Sequence, residues 1–123
     1  MSSIKDSLDR ARSEAQELHK KIEANTTKDH ASIRASLQHS AAQAQQLAAS
    51  LRTLGEAERT DAKQHVNAAA AQLQDAAKHA GDVAAASEAQ LKQTNRAMLE
   101  KVRQALANLS RAVAARRAAL AKA

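Results

Sequence analysis

The chain has 123 residues with a net charge of +6, no Phe, Tyr, Trp, Cys or Pro, and two glycines. Without cysteine there is no disulfide, no Cys-ligated zinc, no iron–sulfur cluster and no thiol catalysis. The length suits one domain over residues 1–123, and the 33 alanines against 21 Ile, Leu, Val and Met point to helices that approach closely while each buries little area.

Residues 1–30 mix acids and bases and contain no apolar run, so the expectation is a cytoplasmic protein without signal peptide or membrane span. At 100° per residue, Ile4, Leu8, Leu18, Ile22, Ile33, Leu37, Leu47, Leu51 and Leu54 fall in an arc of about 100°. That is one apolar face of an amphipathic helix, not a strand. Absence of proline and abundance of Ala, Leu, Gln, Glu, Lys and Arg remove most obstacles to helix, so the chain is expected to be all-α.

Within this first stripe, "NTTKD" is a weak point, where Asn25, Thr26 and Asp29 take apolar positions. Next comes Gly55, followed by acids in "TLGEAE", a pattern that reads as a helix stop and a new N-terminus. A second stripe follows, formed by Val66, Leu73, Leu91, Met98, Val102, Leu106, Leu109, Val113 and Leu120. It crosses its own weak point at "GDVAAASEAQ", with Gly81, Asp82 and a Ser87-to-Gln90 capping box.

Two architectures meet these constraints. Because the stripe phase survives both weak points, as a straight 3.6-residue helix requires, the favoured one is an antiparallel hairpin of long helices. Its arms span about 3–54 and 56–120 and turn at Gly55, with a basic C-terminal extension at 109–123 and a second copy completing the bundle. Partners at one level then have numbers summing to about 110, so Leu8 meets Val102 and Leu37 meets Leu73. The alternative is a monomeric up-down four-helix bundle broken near Thr26 and Gly81–Ser87. Gly55, Asp29, Gly81 and Asn95 are the candidate turn and register residues, since a polar group on an apolar stripe specifies register or partner.

No spacing supports catalysis. The five histidines lack the i, i+4 pairing of a helical zinc site, no Glu-x-x-His occurs, and neither a phosphate loop nor a nucleophile elbow is present. No enzyme activity, cofactor, metal or small-molecule substrate is expected. The expected function is that of a non-enzymatic interaction or scaffold protein, paired with itself or with another helical protein.

Charge offers a second reading, because residues 89–123 carry eight bases and one acid. Lys92, Arg96, Arg103, Arg111, Arg116, Arg117 and Lys122 form a candidate polyanion-binding helix for nucleic acid or an anionic membrane. The Ala- and Gln-rich amphipathic composition is similar to that of phasins and exchangeable apolipoproteins, a likeness of the whole chain without a specific motif. It implies reversible attachment to a lipid or granule surface, although a stripe without aromatics inserts weakly.

Overall fold

A computed structural model describes residues 4–25, 29–80 and 87–122, with the His30 and Lys122 side chains left out. Four helices follow one another: α1 (Ile4–Ala24), α2 (His30–Ala57), α3 (Ala62–His79) and α4 (Glu88–Lys122). Each packs on its neighbours in sequence, α1 closes the ring against α4, and α2 and α4 approach across the diagonal. The four-helix alternative therefore describes the chain, and the continuous arms 3–54 and 56–120 do not. Thr26 and Gly81, named for the two breaks, lie outside the described residues.

Local chemistry sets the helix ends. Asp29 is the N-cap of α2, its carboxylate accepting from the Ser32 amide at 2.8 Å, which satisfies one orphan donor of the first turn. Asp29 is exposed, so it is a cap and not the buried register residue its stripe position suggests. Ser87 and Gln90 form the expected capping box: the Gln90 amide donates to Ser87 Oγ at 3.2 Å and the Ser87 amide to Gln90 Oε1 at 2.9 Å.

Gly55 is a correction. It lies inside α2 without a positive φ, and the chain reverses after it, at residues 58–61. What glycine provides there is room for the Asn67 side chain of α3, whose Oδ1 lies where a Cβ would stand. Moving the reversal also moves the register. The sum of about 110 places residue 85 opposite Asn25, whereas Asn95 is found there, its Oδ1 accepting from Asn25 Nδ2 at 3.0 Å.

The stripes all turn inward. Leu8, Leu18, Ile22, Ile33, Leu37, Leu51, Val66, Leu73, Leu91, Met98, Val102 and Leu109 make one continuous core, with alanines between them. Alanine is densest in α3, where Ala62, Ala69, Ala70, Ala76 and Ala77 are buried, and Ala105 and Ala112 of α4 join the same core; small side chains let helix backbones approach. Polar pairs fasten the rims of the α3–α4 seam: Asn108 Nδ2 donates to Gln72 Oε1 at 2.7 Å and Lys101 reaches Asp75 at 3.9 Å. Arg52 donates to Gln74 across the α2–α3 seam.

The C-terminal extension is shorter than 109–123. Leu109 and Ala112 are fully buried and Arg116 is anchored in the fold, so α4 is part of the bundle as far as about residue 116. Leu120, 55 % exposed, is the one large hydrophobic side chain left open among the described residues.

Candidate functional site: the outer face of the last helix

The candidate cations of α4 divide into two groups. Lys92, Arg96, Arg103, Arg111 and Arg117 are exposed, whereas Arg116 is not available to a ligand. Its Nη1 donates to both carboxylate oxygens of Glu58, at 3.0 and 2.8 Å. Glu58 is itself buried at the α2–α3 reversal. Glu58 Oε1 also accepts from the Arg59 and Thr60 amides and from the Thr60 hydroxyl, at 2.9, 3.0 and 2.9 Å. Thr60 Oγ1 in turn accepts from the Ala62 amide that opens α3. The pair closes a turn and belongs to the fold.

Burial alone raises the Glu58 pKa. The hydrogen bonds from the Thr60 backbone and side chain, and then the bonds and charge of Arg116, outweigh it and hold the carboxyl below its usual range. A sequence signal for the pair existed, because Glu58 follows Leu51 and Leu54 in stripe phase and Arg116 follows Leu109 and Ala112. On one continuous arm spanning 56–120 the two cannot face each other; they meet because α4 folds back along α3.

On the solvent side two cations are held by acids of their own helix. Arg103 Nε and Nη2 donate to the two Glu100 oxygens at 3.1 and 2.7 Å, which lowers the Glu100 pKa and raises that of Arg103. Lys92 lies 3.4 Å from Glu88. Such exposed i, i+3 and i, i+4 pairs are weak, and they yield readily to a competing anion. Arg111 Nη1 makes a long contact of 3.4 Å to Asn108. Arg117 lines a small cleft between α1 and α4 with Lys5, Leu8, Asp9 and Val113.

Of the turn and register candidates, Asn95 is buried and paired with Asn25, Gly55 is a packing residue, Asp29 a cap, and Gly81 lies outside the described residues. Two open depressions of about 510 and 550 Å³ run between α1 and α2. Arg10, Glu14, Glu17 and Lys21 rim the first of them above a floor of Leu18 and Leu47. These groups are exposed, point both ways in charge and present no enclosed, convergent set of the kind a small ligand needs. Among the described residues no cluster of three His, Asp or Glu side chains is placed to hold a metal ion, and no helix is long and apolar enough to cross a membrane. No protein-family model, curated protein or solved structure matches the chain.

Proposed function

We propose that this protein is a non-enzymatic helical interaction module: a single-chain four-helix bundle that works by offering a charged helix face to a partner. The observation that carries the reading is the contrast between its two kinds of surface. The apolar stripes are consumed within the chain, leaving Leu120 as the large hydrophobic exposed among the described residues, while α4 carries eight bases against Glu88 and Glu100. Exchange of apolar surface with a second copy is thus disfavoured as the mode of action, and a partner of opposite charge is favoured.

Light scattering with small-angle X-ray scattering tests the closed bundle. A compact monomer of this length has a radius of gyration near 14 Å, somewhat more for an elongated bundle. A hairpin dimer with arms of about 75 Å gives twice the mass and a clearly longer particle, and that result overturns the single-chain bundle. The interaction role is tested by affinity capture from the source extract at 50 and 500 mM salt. Retention of a defined partner, lost when the exposed α4 cations are neutralised, supports it; equal retention by that variant overturns it.

A further inference from the structure

We infer that the outer face of α4 is a binding surface for the phosphate backbone of a nucleic-acid duplex, one that does not read base sequence. The inference rests on the interaction reading above and names its partner class. Relative to Met98 at the centre of the buried stripe, Arg117, Lys92, Arg103 and Arg96 lie at about 100°, 120°, 140° and 160° on α4. They form a line over about 38 Å of helix, at 1.5 Å per residue. All four are exposed.

What lies between the cations matters as much as the cations. Ala89, Ala107, Ser110 and Ala114 occupy the same sector and are exposed; Leu99, at its edge near 100°, is half-buried against the core, so no acidic side chain and no fully exposed bulky one stands between the line and an approaching backbone. Glu88 and Glu100 border it, each engaged by a cation of the line. Phosphate replaces such a surface carboxylate at little cost, since exposed pairs of this kind are weak. At the C-terminal end the line continues onto α1, because Lys5 and Arg117 line one cleft, with Asp9 the single acid there.

A straight row of point cations on a rigid rod complements a row of fixed phosphates, and each phosphate neutralised releases counterions. It does not suit base readout: no aromatic residue exists to stack a base, and the side chains are not organised as a bidentate amide or guanidinium set against base edges. An anionic bilayer is the weaker fit. A helix that lies on a membrane buries apolar side chains between its cations, and this sector of α4 offers alanine and serine, with Leu99 at its edge already packed on the core and Leu120 beyond its end.

Fluorescence anisotropy with a labelled 20-base-pair duplex of arbitrary sequence, titrated from 20 to 200 mM NaCl, tests the assignment. Four phosphate contacts predict a slope of log K against log salt of about −3.6, hence a loss of between three and four orders of magnitude in affinity across that tenfold range. The variant Arg96→Gln/Arg103→Gln/Arg117→Gln is expected to lose at least tenfold in affinity at 50 mM salt and to flatten the slope to about −1. A charge-matched control, Arg10→Gln/Lys20→Gln/Lys21→Gln on α1, is expected to change affinity less than threefold, with circular dichroism showing both variants helical.

Equal losses in the two variants overturn the α4 surface, because net charge would then carry the binding. Binding to phosphatidylserine vesicles without binding to the duplex overturns the nucleic-acid assignment in favour of a membrane. Absence of duplex binding alongside α4-dependent capture of a protein partner overturns this inference and leaves the interaction role standing.

Discussion

Arg116, near the end of α4, holds the Glu58 carboxylate at the α2–α3 reversal through both oxygens, at 3.0 and 2.8 Å. Its partner is only 3 % exposed. This contact ties the far end of the longest helix to the tightest connection of the fold, and it also stops the α2 stripe, because the carboxylate takes over the Arg59 and Thr60 amides. Removing one member of a buried pair leaves the other uncompensated. Arg116→Met is therefore expected to destabilise the bundle by about 2–4 kcal/mol in urea unfolding, with part of the loss recovered in the double variant Glu58→Gln/Arg116→Met.

The same carboxylate sets a pH dependence. Its folded-state pKa lies below the ordinary value of 4.5, so the unfolded chain binds the proton more tightly. The stabilisation is fully present above about pH 5 and is lost as pH falls through the ordinary and then the folded value. Wild-type stability is expected to drop between about pH 5 and 3 more steeply than that of Glu58→Gln, which lacks the carboxyl. Parallel curves for the two proteins would contradict this assignment.

Gly55 gives a test with opposite signs for its two readings. A glycine that makes a turn through positive φ is damaged by alanine, but this one is helical. Alanine there gains about 0.8–1 kcal/mol of helix propensity, against displacement of the exposed Asn67 side chain, whose Oδ1 occupies the Cβ position. Because that amide sits at the end of a rotatable side chain, Gly55→Ala is expected to raise the unfolding free energy by up to about 1 kcal/mol. A loss would mean that α2 and α3 cannot yield at this crossing.

The helical class, the inward stripes and the Ser87–Gln90 capping box were legible in the sequence, because they depend on residues no more than a few turns apart. The connections were not. Stripe phase through Asn25–Asp29 is compatible with a continuous helix and with a break, and it is the tertiary packing of α1 against α2 that distinguishes them. Gly55 misled because glycine serves turns and close helix crossings alike, and the choice depends on Asn67 of another helix. One continuous arm over α3 and α4 puts Glu58 and Arg116 on the same rod, and only the fold-back of α4 onto α3 brings them together, so the sequence does not separate this buried structural cation from the exposed ones of α4.

Truncation separates the fold from the surface of α4. Leu109 and Ala112 are fully buried and Arg116 grips Glu58, so deletion of residues 109–123 removes core and is expected to abolish the cooperative thermal transition. Deletion of 118–123 takes away, among the described residues 118–121, only exposed or half-exposed positions beyond the last anchored residue. That shorter deletion is expected to shift the midpoint by no more than about 2–4 °C, the shift a 1 kcal/mol change brings in a domain of this size or larger.

The Asn25–Asn95 pair sits where α1 ends and α4 begins, fully or almost fully buried, with a single 3.0 Å bond between the two amides. Asn25 Oδ1 has no hydrogen-bond partner, so the pair satisfies α1's amide only in part. A buried polar pair of this kind contributes less to stability than to choosing one alignment of two helices over its neighbours. Asn95→Ala strands the Asn25 amide altogether and is expected to cost about 1–3 kcal/mol. The double variant Asn25→Leu/Asn95→Leu removes the unsatisfied Asn25 oxygen together with its partner amide and is expected to be at least as stable as the native chain, while hydrogen exchange along α1 accelerates or splits as helix alignments a turn apart become competitive. Should the double variant keep uniform protection along α1, the leucine ladder alone would fix the register, and the asparagines would have no alignment role.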